Sequence, residues 1–141
     1  MKIEGKKLEM SQIFLEDGTV VPITYVSVDS ELGEDFVGKL VKVVGWSKGA
    51  GFTGVIKRYH FKGGPKTHGQ SDRWRAPGAS GATTTPGRVL KGKRRAGRHG
   101  NKRVTLSGLK IMGIDQKLKK VQVSGPLPGS RNSRILIEVM D

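Results

Sequence analysis

Acid–base and metal chemistry have little material in this chain. Its three histidines, His60, His68 and His99, lie eight and thirty-one positions apart, which matches no metal-ligand pattern, and Asp72 is the single carboxylate in residues 45–103. Paired carboxylates for general acid and base work are therefore missing from that stretch. The expected work of the histidines is hydrogen bonding to RNA or to backbone. With no Cys in the chain, disulfides and Cys-ligated zinc or iron–sulfur sites are excluded. No catalytic residue, metal or cofactor is expected.

Phosphate recognition has far more. In Ser47-Lys48-Gly49-Ala50-Gly51-Phe52-Thr53-Gly54-Val55-Ile56-Lys57-Arg58, the glycines remove side chains so that backbone N–H groups can approach phosphate oxygens, while Lys48, Lys57 and Arg58 supply counter-charge. Phe52, Tyr59 and Phe61 are read either as stacking on unpaired bases or as packing on a small core. These glycines lack the Gly-Lys-Ser or Gly-Lys-Thr end of a nucleotide-hydrolase loop, and no Gly-x-Gly-x-x-Gly joins a strand to a helix, so mononucleotide binding is not expected. Further on, Arg73-Trp74-Arg75 combines two guanidinium groups able to clamp phosphates with an indole able to stack. Glycines and prolines between residues 63 and 81 forbid a long helix, and the small residues 78–85 let the chain pass through a narrow space. The run 85–103 is the most basic part, broken by Gly87, Gly92, Gly97 and Gly100. It reads as an anion-binding segment, a nuclear localisation signal or a solvated tail, and its internal position argues against the tail.

The elements that must hold these residues lie on either side. Residues 13–28 read as a hairpin around Glu16-Asp17-Gly18, and 39–46, 104–112, 118–124 and 134–140 as strands. In the last, Ile135, Ile137 and Val139 alternate with Leu136, Glu138 and Met140, a period of two with one apolar face. Gly125-Pro126-Leu127-Pro128-Gly129-Ser130 is a loop. No amphipathic helix of ten residues is expected. The fold class is therefore mainly β: a small β-barrel-like domain from residues 1–44 and 104–141, carrying a long glycine-rich basic extension over 45–103.

Charge arithmetic marks the same division. The 141 residues carry 26 Lys and Arg against 12 Asp and Glu, a formal net charge of +14. Residues 1–44 sum to −3 and 104–141 to +3, so residues 45–103, with 15 basic side chains and one acid, hold the whole +14. They also hold 13 of the 21 glycines and five of the eight aromatics, too little aliphatic material to build a core alone. A loop this long is improbable unless a partner orders it, and fifteen mutually repelling cations are ordered most easily by a polyanion. With no apolar run of about 18 residues and no secretory leader at Met1-Lys2-Ile3-Glu4, the expectation is a soluble intracellular protein with no membrane partner.

At this point the sequence resembles a known family, the bacterial type of the universal large-subunit ribosomal protein family L-three. The likeness rests on Gly5-Lys6-Lys7 with Met10, Ile13-Phe14 and Glu16-Asp17-Gly18. It rests more heavily on Ser47-Lys48-Gly49-x-Gly51-Phe52-x-Gly54-x-x-Lys57-Arg58, Thr67-His68-Gly69, Thr85-Pro86-Gly87, Lys91-Gly92-Lys93, Ala96-Gly97, Gly100-Asn101 and Arg103-Val104-Thr105, with Gly125-x-x-Pro128-Gly129 near the end. The resemblance implies a structural constituent of the large ribosomal subunit, without chemistry of its own, that supports subunit assembly and reaches through ribosomal RNA toward the peptidyl transferase centre. It implies a cytoplasmic, ribosome-bound protein whose partners are large-subunit ribosomal RNA and neighbouring ribosomal proteins, not an independent homo-oligomer. The RNA-binding residues it points to are Lys48, Lys57, Arg58, Lys62, Lys66, His68, Arg73, Trp74, Arg75, Arg88, Lys91, Lys93, Arg94, Arg95, Arg98, His99, Lys102 and Arg103, with the tip of the extension near residues 73–86.

Two departures from the family pattern stand out. A long stretch usual between the positions of Val28 and Val37 is here only residues 29–36, so the barrel is expected to be incomplete or closed differently. At the tip, Gly81-Ala82-Thr83-Thr84-Thr85-Pro86-Gly87 replaces an amide-rich segment, and the glutamine methylation of some bacterial members has no acceptor at Thr84. Two rival readings of the same residues are a basic chromosomal protein that coats DNA and a small hydrolase acting on an anionic substrate through His68 or His99. Neither accounts for the ordered motifs between Ser47 and Thr105.

Overall fold

The computed structural model describes residues 1–29 and 32–140. Among the described residues eight strands run in chain order as β1 (Lys2–Phe14), β2 (Val20–Val28), β3 (Leu40–Trp46), β4 (Gly51–Thr53), β5 (Gly97–His99), β6 (Arg103–Asp115), β7 (Lys120–Ser124) and β8 (Arg134–Val139), with one short α-helix, α1 (Val55–Tyr59), and a 3-10 turn at Glu34–Phe36. The chain divides into two compact units, one of Met1–Lys48 with Asn101–Asp141 and the other of Gly49–Gly100.

In the first unit six strands form a barrel-like ring in the order β1, β2, β7, β6, β3, β8, with β8 returning to β1. Every pairing is antiparallel. Each strand thus has a hydrogen-bonded neighbour on both sides over part of its length, which covers the edges that invite association there. The shortened connection over residues 29–36 does not interrupt this ring. Its Leu32 is buried and Phe36 packs on the core, while Ser30 and Glu31 lie outside the described residues.

The ring follows from composition. Its core is Ile3, Val26, Val28, Leu32, Val41, Val43, Ile111, Val121, Val123, Leu127, Ile135, Ile137 and Val139. Eleven of these thirteen are Val or Ile, whose branched Cβ suits the pleated backbone and disfavours helix. The alternation in β8 buries Ile135, Ile137 and Val139 on one face, while Glu138 on the other meets Lys2 and Lys42, each at 3.5 Å. Burial raises the Glu138 pKa, and the two lysines outweigh it, leaving that carboxyl below its ordinary value.

Several boundaries differ from the sequence expectation. β1 begins at Lys2, long before residue 13, because residues 2–6 pair with Glu138 through Arg134 of β8. β7 begins at Lys120 because residues before it form a turn in which Lys119 takes a φ of 49° and the Asp115 carboxylate accepts the Leu118 N–H at 3.1 Å. β3 and β6 pair out to Trp46 and Arg103, so the ring reaches two residues past position 44.

A lysine fastens the 125–129 loop to this ring. The Lys7 ammonium donates to the carbonyls of Leu127 at 2.7 Å and Gly129 at 3.0 Å. The loop then lies against the end of β3, where a Cβ on Gly45 would stand 2.8 Å from Pro128. Burial, with a smaller contribution from the charge of Lys48, lowers the Lys7 pKa.

Candidate nucleic-acid interface

Where β3 ends and β6 begins, the chain is stitched across a neck. The Ser47 N–H donates to the Lys102 carbonyl at 2.9 Å, the Lys102 N–H to Ser47 Oγ at 3.2 Å, and the Asn101 N–H to the Ser47 carbonyl at 3.2 Å. Lys48, Lys102 and Arg103 are exposed here, all belonging to the unit that contains the ring.

The second unit is built around β4 and β5, which pair Gly51 with His99, Phe52 with Arg98 and Thr53 with Gly97. Gly51 has a φ of +64°, a conformation that L side chains rarely adopt, so this glycine of the phosphate-type pattern is explained by backbone shape. α1 follows at once, its first residue Val55 buried. It stops at His60, which takes the left-handed conformation while its N–H donates to the Ile56 carbonyl at 2.9 Å. The helix exposes Lys57.

Arg58 does something the sequence alone did not indicate. Its Nη1 donates to the Arg95 carbonyl at 2.9 Å, and a Cβ on Gly97 would approach that nitrogen to 2.7 Å. Its guanidinium also lies 5.0 Å from the Tyr59 ring centroid, and that of Arg94 lies 5.5 Å from the same ring. Tyr59 thus packs with two arginines, and its ring is 6.3 Å from Phe61. Arg58 ties α1 to the 94–97 segment with one donor, leaving the others of its fork for a ligand. The stacking candidates separate accordingly: Phe52 is 81% and Trp74 50% exposed, whereas Tyr59 and Phe61 are half-buried.

Arg73, Trp74 and Arg75 are held by two glycines. The Gly64 N–H donates to the Trp74 carbonyl at 2.9 Å, Gly63 has a φ of +78°, and a Cβ on Gly63 would collide with that same carbonyl. Arg73 itself has a φ of 58° and its carbonyl accepts the Ala76 N–H at 3.2 Å. The Gln70 side chain reaches the Asp72 carbonyl. This loop is a fixed presentation of three ligand-type side chains, and a Gly-Gly pair opposite an Arg-Trp-Arg was its readable signal. A cleft of about 520 Å³ in this unit has Val55, Phe61 and Pro77 among its walls, with Arg75, Lys93, Arg94 and Arg95 contributing the charge.

Of the eighteen residues picked from sequence, all are exposed except Arg58, which is half-buried. The unit of residues 49–100 has twelve Lys and Arg against Asp72. All five ion pairs found among the described residues involve side chains of the other unit, so none of the twelve has a carboxylate of the described residues within 4 Å. Among the described residues no group of three His, Asp or Glu could hold a metal ion, and no helix is long and apolar enough to cross a membrane. The arrangement offers uncompensated cations, two exposed aromatic faces and an apolar-walled cleft, the features that bind phosphates and unpaired bases together.

The sequence profile of the family described as Ribosomal protein L3 matches residues 3–126. The large ribosomal subunit protein uL3 of Dehalococcoides mccartyi is 48% identical over 126 residues, covering 88% of this chain and 62% of that protein. That of Herpetosiphon aurantiacus is 52% identical over 101 residues, 72% of this chain and 48% of the relative. That of Syntrophobacter fumaroxidans is 33% identical over 200 aligned positions, 96% of this chain and 95% of the relative. The chain spans about half to three fifths of the length of the first two. The third alignment is longer than the 141 residues here, so that relative has residues with no counterpart.

Proposed function

Because the chain belongs to the ribosomal protein L3 family, we propose that it is a structural constituent of the large ribosomal subunit, in the cytoplasm, and that it binds ribosomal RNA through residues 49–100 and the neck. The ring is the anchor and the basic unit is the RNA-binding extension, supporting subunit assembly and reaching toward the peptidyl transferase centre with residues 73–86 leading. Neighbouring ribosomal proteins are its other partners, and it performs no chemistry.

The observation that carries the reading is the set of twelve cations in 49–100 without a carboxylate partner among the described residues. Such charges repel one another when the protein is alone and are neutralised by a phosphate backbone, with release of condensed counterions. Lys57, Lys62, Lys66, Arg88, Lys91, Lys93, Arg94, Arg95, Arg98 and the Arg73 and Arg75 pair contact phosphate, Trp74 stacks on an unpaired base, and His68 and His99 donate or accept at sugar or base edges.

The test is copurification with large subunits through a high-salt wash, joined to the salt dependence of binding to large-subunit ribosomal RNA. Retention is expected, with log K falling by about 0.7–0.9 per log unit of salt for each phosphate neutralised. A nearly flat dependence, or release from the particle in the wash, overturns the proposal.

A further inference from the structure

The β1–β2 hairpin continues past the ring as a two-stranded arm. β1 leaves β8 after Lys6, its register with β2 shifts between Lys7 and Met10, and β2 meets β7 only from Ile23 onward. Beyond Pro22, whose carbonyl still accepts the Gly125 N–H at 2.8 Å, Ile13↔Val21 and Phe14↔Val20 pair with each other alone among the described strands. A two-stranded ribbon with no third strand is marginal in water.

The end of this arm is apolar and exposed. Phe14 is 70% exposed, Val20 opposite it 46% and Leu15 40%. The turn is nevertheless fixed: the Leu15 N–H donates to the Thr19 carbonyl at 2.9 Å, the Gly18 N–H to the Leu15 carbonyl at 3.0 Å, and the Thr19 N–H to Asp17 Oδ1 at 2.8 Å. A pre-ordered tip loses little entropy on docking.

Charge decides what kind of partner it fits. Residues 8–38 contain Glu9, Glu16, Asp17, Asp29, Glu31, Glu34 and Asp35 and not one Lys or Arg. In a chain of net charge +14, this arm lies in the longest cation-free stretch. A phosphate backbone would be repelled by Glu16 and Asp17 and would gain nothing from Phe14 and Leu15. A protein surface with an apolar socket and a basic rim satisfies both features.

We infer that Phe14, Leu15 and Val20, flanked by Glu16 and Asp17, form a docking tip for a neighbouring protein of the same particle, one that presents an apolar socket edged with Lys or Arg. The inference rests on the ribosomal reading above and assigns to the arm a protein contact, where the 49–100 unit takes RNA.

The test replaces Phe14 with the photoreactive benzoylphenylalanine in the full chain, isolates large subunits from cells carrying it, and irradiates them. A crosslink from position 14 to one polypeptide of the subunit is expected, and its yield should fall at least several-fold in Glu16→Lys, which reverses a charge of the tip and leaves the Asp17 bond to Thr19 in place. The change lies on an exposed turn residue, and thermal melting of the free variant checks that the ring is intact. A crosslink to ribosomal RNA, no crosslink from an incorporated chain, or a yield indifferent to the charge reversal overturns the inference. Failure of the labelled and the unlabelled chain alike to enter the subunit instead overturns the ribosomal reading, and with it the inference as stated.

Discussion

Lys7 and Leu127, 120 positions apart in the chain, are joined by an ammonium-to-carbonyl hydrogen bond of 2.7 Å. The same ammonium takes the carbonyl of Gly129, so one side chain from β1 holds the loop that lies on the end of β3. Lys7→Met keeps the side chain's length and leaves both carbonyls without this donor. We expect a loss of about 1–3 kcal/mol in stability, seen as a lower denaturation midpoint with the far-ultraviolet β signal retained.

Gly63→Ala tests the presentation of Arg73, Trp74 and Arg75. The new Cβ runs into the Trp74 carbonyl, at a φ of +78°, and strain of this kind is worth about 1–3 kcal/mol. The expected outcome is a roughly tenfold loss of ribosomal RNA affinity, the equivalent of about 1.4 kcal/mol. The melting temperature of the ring should be unchanged. A loss of ring stability without a loss of affinity would contradict the assignment.

Replacing Lys93, Arg94 and Arg95 together by Gln removes three cations from the cleft while keeping the Arg95 backbone carbonyl that Arg58 uses. The slope of log K against log salt should become shallower by about 2–3, at about 0.7–0.9 per lost phosphate contact. A titration of binding over several salt concentrations reads this directly. A weaker affinity with an unchanged slope would mean that these side chains do not meet phosphate.

Acid should loosen the hairpin tip. The Thr19 backbone N–H bonded to the Asp17 carboxylate, with a further hydrogen bond from Thr19, lowers that carboxyl's pKa below its ordinary 3.8. A depressed folded-state value means that the stabilisation is fully present above pH 3.8 and is lost as pH falls through the lower, folded value. The Thr19 amide should therefore lose exchange protection in that acid range, and in Asp17→Asn its protection should no longer follow the same pH course.

Much of the ring was legible because its physics is local. The alternation of Ile135, Ile137 and Val139 names the buried face of β8, and the Glu16-Asp17-Gly18 turn names the hairpin. The first half of β1 was not legible. In Lys2 to Lys7 only Ile3 is buried, and what makes the segment a strand is a ladder with β8 more than 120 residues away. The candidate interface divides in the same manner. Exposure of its cations follows from charge and glycine content alone, whereas the bond from Arg58 to Arg95 spans 37 positions and no local pattern encodes it. The exposed Phe14 carried no local warning either, since an apolar residue in a β-rich stretch reads as core until the ladder shows that the third strand is missing.

The neck between Ser47 and Lys102 also sets a thermodynamic relation between the two units. These residues are neighbours in space and 55 positions apart in sequence, so pairing β3 with β6 closes a large loop. Closure entropy grows as (3/2)RT ln n, about 3.5 kcal/mol for such a length against about 1.2 for a four-residue turn. The ring is therefore less stable by about 2 kcal/mol than the same six strands joined by a short hairpin. Because the exit and return of the excursion are already hydrogen-bonded together, lengthening it further adds little, each doubling about 0.6 kcal/mol. An anchor of this design tolerates wide variation in the length of what it carries, provided that the pairing of Ser47 with Lys102 is kept.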